Sequence, residues 1–191
     1  MSDAPATRVD AWSIESIVRT MAPLLLVLSL LEMGSGIVLE SFEETYLANP
    51  TLLVLVPVMI GMGGNLGAIV AARLSTQLHL GTLSFDPRTP ALRASILAVL
   101  GLAVTVFSVL GVVVYAIGHA MGSPMALATL MTISLVSGLS LAVVAIVLGV
   151  LVTYVSYRRG YDPDDVTIPV VTNACDILGV VIFSAVVLVV L

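Results

Sequence analysis

Apolar and polar residues are not mixed along this chain; they are segregated into long blocks. Five apolar runs, residues 17–39, 51–72, 92–118, 125–154 and 167–191, each reach the roughly 20 helical residues that cross a hydrocarbon core of about 30 Å. Short polar connectors, 40–50, 73–91, 119–124 and 155–166, separate them, and Pro50, Pro87, Pro90, Pro124 and Pro163 lie in or beside those connectors, where a missing N–H is harmless. The runs are continuously apolar and do not alternate with period two, which argues against a β-barrel. The pattern predicts an all-α membrane protein of five transmembrane helices, residues 17–191, preceded by a short polar segment, 1–16.

Composition agrees. The 191 residues are 59% hydrophobic and 10% charged, where soluble domains carry about 25% charged residues. Soluble folding is excluded. The segment before the first run is polar and mixed in charge, and no small-residue cleavage pattern follows a short apolar core, so it does not read as a cleaved signal. Arginines give an orientation. Arg8 and Arg19 flank the start of the first run, Arg73, Arg88 and Arg93 the second connector, and Arg158 and Arg159 the fourth; the first and third connectors have none, and the chain has no lysine. By the positive-inside bias the N-terminus and connectors two and four are cytoplasmic, the C-terminus is outside, and the protein is multi-pass in the cytoplasmic membrane. Glu40, Glu43 and Glu44 then form an acidic outer mouth. The scattered arginines offer no basic face for nucleic acid. A single cysteine, Cys175, rules out an intramolecular disulfide and a multi-cysteine metal cage.

Three polar interruptions change the picture from a generic membrane protein to a transport protein. Asp176 stands within the 25-residue apolar stretch 167–191, and a charge at that depth costs about 2.5–3.5 kcal/mol on insertion scales. Such a residue faces protein or water, marking an ion or proton pathway, or else it is a protonated carboxyl joining helices. Thr172 and Asn173 precede it by four and three residues, on one helical face, and Gly179 continues that face. Hard divalent cations take oxygen ligands, and Mg²⁺ keeps several waters and binds through one or two carboxylates; a carboxylate flanked by hydroxyl and amide oxygens suits a mostly hydrated ion.

The second interruption is the cluster Gly61, Gly63, Gly64, Asn65 and Gly67. Glycines there mean close helix packing, or local unwinding that turns backbone carbonyls toward an ion. Depth arithmetic favours a pore lining: Asn65 on the inward second helix and Asp176 on the outward fifth both lie roughly 5 Å to the cytoplasmic side of centre. The third is Glu32, roughly 6 Å outward of the middle of the first helix, with Gly36 and Glu40 along its stripe; it stabilises an ion in an outer vestibule or pairs with a neighbouring hydroxyl. The candidate metal-contacting set is therefore Asp176, Thr172, Asn173, Asn65, Gly61, Gly64 and Glu32. His79 and His119 read as interfacial hydrogen-bonding residues, Cys175 as packing, and Asp162, Asp164 and Asp165 as a solvated connector or an inner-surface cation site. No nucleophile elbow, zincin motif or phosphate loop occurs, so neither an enzyme nor a bound cofactor is expected.

The run Pro57-Val58-Met59-Ile60-Gly61-Met62-Gly63-Gly64-Asn65-Leu66-Gly67 resembles the second-helix motif of the MgtE family of magnesium channels, and Thr172-Asn173-Ala174-Cys175-Asp176-Ile177-Leu178-Gly179 resembles the carboxylate region of that family's last helix. The stretch from Ala72 to Gly81 is similar to related eukaryotic magnesium carriers. The resemblance implies a membrane domain that forms a homodimer, with the ion pathway on the two-fold axis. It implies hydrated Mg²⁺ as the transported ion, bound by the carboxylate matching Asp176, with the backbone at Thr172 also facing the ion and the Asn65 position near the pore. A partner that is a paralogous half, as in some relatives, is the other assembly it implies. The cytosolic sensor domains of MgtE find no counterpart in the 16 residues before the first helix. Beside Mg²⁺ transport stand two other readings: an H⁺- or Na⁺-coupled cation carrier with Asp176 as coupling site, and a non-transporting assembly subunit.

Overall fold

The computed structural model describes residues 14–82, 89–161 and 163–191. The described residues form helices joined by short turns: α1 (Ile14–Ser41), α2 (Glu43–Ala48), α3 (Pro50–His79), α4 (Pro90–Ala120), α5 (Leu127–Arg158) and α6 (Pro163–Val190). Five of these, all but α2, are long and apolar enough to cross a membrane. The protein is a multi-pass membrane protein. Arg8, Pro87, Arg88 and Asp162 lie outside the described residues, as do residues 1–13 of the N-terminal segment.

The helices overrun the apolar blocks. α3 runs through Arg73 to His79, α5 through Arg158, and α6 begins at Pro163, because hydropathy reports where lipid ends and not where a helix must. Local chemistry sets the ends instead. Pro50 and Pro90 occupy the first helical positions of α3 and α4, where a proline lacks only an N–H that would have been unpaired. α3, α4 and α5 all stop on a left-handed glycine: Gly81 at φ 66°, Gly122 at 72° and Gly160 at 73°. In each case the residue after the glycine donates back five residues, Thr82 to Gln77, Ser123 to Gly118 and Tyr161 to Ser156, which satisfies carbonyls that the helix end would leave bare. The first connector, expected as a polar link, contains α2. Tyr46 of α2 is buried, shares a 2.7 Å hydrogen bond with Ser184 of α6 and stacks on Phe183, so α2 is held down over one end of α6.

α3, α5 and α6 pack mutually at the centre, α4 lies against α5 and α3, and the substantial contacts of α1 are with α6. Small residues let the central helices approach. Phe107 of α4 is fully buried over Gly138 of α5, where any Cβ would enter its ring, and Ser134 donates to the Phe107 carbonyl at 2.7 Å. Thr51 donates to the carbonyl of Ser123. Such close contacts replace the hydrophobic drive that is missing between helices in lipid.

Candidate functional site

The site is built where α6 crosses α3. A Cβ on Gly63 would stand 2.8 Å from the Cys175 carbonyl oxygen, and one on Gly67 3.1 Å from Val171. These glycines therefore serve close packing. α3 is helical from end to end through the cluster, so the expected unwinding does not occur: Pro57 lacks an N–H, but the backbone around it stays helical. Gly64, between the two packing glycines, faces Asp176 itself. A Cβ there would lie 2.7 Å from Oδ1 and 2.9 Å from Cγ2 of Thr172. Its missing side chain is the space that the carboxylate fills.

Asp176 Oδ1 and Thr172 Oγ1 are shielded from solvent and meet no side-chain hydrogen-bond partner among the described residues; the polar group beside the carboxylate is the backbone of Gly64. An unmet buried polar group costs about 1–3 kcal/mol, more when charged. The two oxygens lie one helical turn apart on one face of α6, both turned toward α3 and away from solvent. Among the described residues no three His, Cys, Asp or Glu side chains converge.

On its other side Asp176 opens on a cavity of about 500 Å³ between α1 and α6, whose walls include Leu25 and Glu32 from α1 and Thr172 and Asn173 from α6. Asn173 Nδ2 donates to Glu32 Oε2 at 3.1 Å. The partner of Glu32 is thus an amide of α6, where the pairing alternative of its two sequence readings had named a serine or threonine hydroxyl. Neither residue signals this pairing alone, because 141 positions separate them; the available hint was that each is a polar residue in an apolar block.

Four predicted residues, Asp176, Thr172, Asn173 and Glu32, meet at this cavity, and Gly64 backs it. Asn65 and Gly61 do not join them. Both are exposed, on the face of α3 that also carries Leu53 and Pro57, and nothing lies within 4 Å of a Cβ built on Gly61. The depth arithmetic matched α3 to α6 to within one residue, and the neighbour of Asn65 meets the carboxylate. One position along a helix turns a side chain by about 100°, so Asn65 points elsewhere.

The remaining polar residues have ordinary partners. His79 Nδ1 lies 3.0 Å from the Ser75 carbonyl oxygen and His119 Nδ1 3.0 Å from that of Tyr115. Cys175 is buried against Gly67. Glu40 and Glu43 line a separate cavity of about 340 Å³ beside Tyr46. Asp165 is exposed at the start of α6, and the side chain of Asp164 is outside the described residues.

A bundle of spanning helices that holds shielded oxygens beside a cavity at mid-helix is the build of a membrane transport protein for a cation. The comparison with protein families makes this specific: the MgtE divalent cation transporter family matches residues 56–186, which takes in α6 through Val186 and all of α4 and α5. The chain belongs to the MgtE family. No individual curated protein matches it.

Proposed function

We propose that this protein carries Mg²⁺ across the cytoplasmic membrane, with Asp176 as the residue that binds the hydrated ion. The observation that carries the reading is the pair of shielded oxygens, Asp176 Oδ1 and Thr172 Oγ1, set against the bare backbone of Gly64. Asn173, three residues before Asp176, adds an amide for the ion's waters. A two-fold dimer that brings two copies of Asp176 to one axis doubles the carboxylate charge that this position offers a divalent ion. The exposed α3 face of Leu53, Pro57, Gly61 and Asn65 supports an interface there, with Asn65 reaching the pathway from the axis side. A homodimer is the simplest assembly, and a paralogous half serves the same geometry. The arginine distribution supports an orientation with the N-terminus and the α3–α4 and α5–α6 connectors on the cytoplasmic side.

Purified protein in liposomes loaded with a Mg²⁺-sensitive dye tests this reading. Flux is expected from wild type, and Asp176→Asn should lower it at least tenfold without disturbing folding, because loss of the charge eases insertion. Absence of flux from any oligomer overturns the reading. Flux that requires a pH or Na⁺ gradient makes Asp176 a coupling site instead. In a Cys175→Ala background, Asp176→Cys should cross-link between two chains under oxidation; an active monomer refutes the axis.

A further inference from the structure

α1 is the least enclosed of the spanning helices: no residue in its apolar window is buried, and Leu26, Leu30, Leu31, Met33 and Ile37 are all exposed. Between Arg19 and Glu40 its one ionisable residue is Glu32. A helix otherwise suited to lipid on every side carries a carboxylate at a depth where charge is costly. That side chain is turned away from lipid and toward α6, where it takes the Asn173 amide at 3.1 Å and faces the cavity of about 500 Å³ that Asp176 also lines. Lipid packing does not need this residue. A leucine would cover the same surface at lower cost.

We propose that Glu32 is a specificity-determining residue for the cation at Asp176, adding a second carboxylate from the same chain across the α1–α6 cavity and fixing the Asn173 amide. It rests on the reading of Asp176 as the ion-binding carboxylate. Two consequences follow from the geometry. With its NH₂ donated to Glu32, Asn173 keeps its carbonyl oxygen as the group left to accept from the waters of an ion. The second carboxylate also raises the negative charge around the cavity without closing it, and at 500 Å³ the cavity admits an ion with its inner waters still attached. Each carboxylate attracts a divalent ion twice as strongly as a monovalent one at the same distance. Glu32 therefore favours divalent over monovalent cations, and charge count is a main determinant of affinity at such oxygen sites.

The test is flux from proteoliposomes at varied Mg²⁺, with and without competing Na⁺, for wild type, Glu32→Gln, Glu32→Ala and Asp176→Asn. Glutamine keeps an acceptor for Asn173 and removes only the charge. Glu32→Gln should raise KM for Mg²⁺ roughly tenfold, leave the maximal rate near wild type, and increase inhibition by Na⁺. Glu32→Ala should raise KM further because the amide is released as well. A second measurement does not depend on flux: the rise in Tm that Mg²⁺ produces in detergent should shrink in Glu32→Gln, with an unchanged elution profile. If Glu32→Gln keeps wild-type KM, Na⁺ sensitivity and Mg²⁺-dependent Tm while Asp176→Asn abolishes flux, the role of Glu32 is refuted and the Asp176 site stands. If Asp176→Asn is also silent, the site itself falls, and this inference with it. Should Glu32→Ala fail to fold, Glu32→Gln alone decides.

Discussion

α6 meets α3 and α1 on two faces built in opposite ways. Toward α3 it presents the buried row Val171, Cys175 and Gly179, and α3 answers with Gly63 and Gly67, so that backbone nearly touches backbone. Toward α1 it presents Thr172, Asn173 and Asp176, and the two helices leave about 500 Å³ between them, bridged by the Asn173–Glu32 hydrogen bond. The first face has one solution, because a close-packed interior transmits any change in volume. The second tolerates change in shape but not in charge. Gly64 sits on the seam between the two: it packs like its glycine neighbours and holds open the place of the carboxylate.

The sharpest way to break the close face is Gly63→Leu. Its Cβ alone would lie 2.8 Å from the Cys175 carbonyl oxygen, and backbone cannot rotate away, so the cost should reach about 3 kcal/mol or more by overpacking. Loss of a monodisperse peak in size-exclusion chromatography is the expected result. Leu25→Ala, on the wall of the open cavity, should leave that peak unchanged. If the two variants behave alike, the contrast between the faces is wrong.

Gly64→Ala probes the seam. The added methyl would sit 2.7 Å from Asp176 Oδ1 and must push the carboxylate or Thr172 aside. Mg²⁺ flux should fall roughly tenfold, equivalent to about 1.4 kcal/mol, with a much smaller loss of stability than Gly63→Leu causes. A variant with normal flux would detach Gly64 from the site. Tyr46→Phe tests the far end of α6 and should cost about 1 kcal/mol in thermal or denaturant unfolding through the lost bond to Ser184, since the ring keeps its stack on Phe183. The smallest effect within a chain is expected from Gly61→Ala, where nothing lies within 4 Å. Its unfolding free energy should stay within about 0.5 kcal/mol of wild type, so a clear drop in dimer fraction by light scattering would place that face at the interface between chains.

Much of the fold was legible in the sequence. The five spans followed from run length; the connectors, to which Pro50 and Pro90 were assigned, came out too long, because helix continues past the lipid boundary as far as a capping glycine allows. Gly81 stood in plain view as such an end. The short α2 was missed because the six residues Glu43–Ala48 owe their place to one buried tyrosine and its partners on α6, not to any periodicity of their own. Of the site, the residues were legible and the grouping only in part. Asp176, Thr172 and Asn173 share a face by spacing alone, whereas Asn65 and Gly64 are indistinguishable by depth, and rotation of α3 decided between them.

By itself, then, the sequence determined how many helices are long and apolar enough to cross the membrane, where their apolar stretches lie, and which polar residues lie deep within them. Each of these is local: run length and the position of a charge within a run. Tertiary structure decided that Gly64 and not Asn65 meets Asp176, that the glycine cluster packs without unwinding, and that Glu32 reaches Asn173 from 141 residues away. The reason is physical. A helix in water announces its buried face by an apolar stripe, but in lipid the outer face is as apolar as the inner one. The rotation of each helix is therefore written in contacts between small residues and a few polar atoms, and those appear only when the helices are assembled.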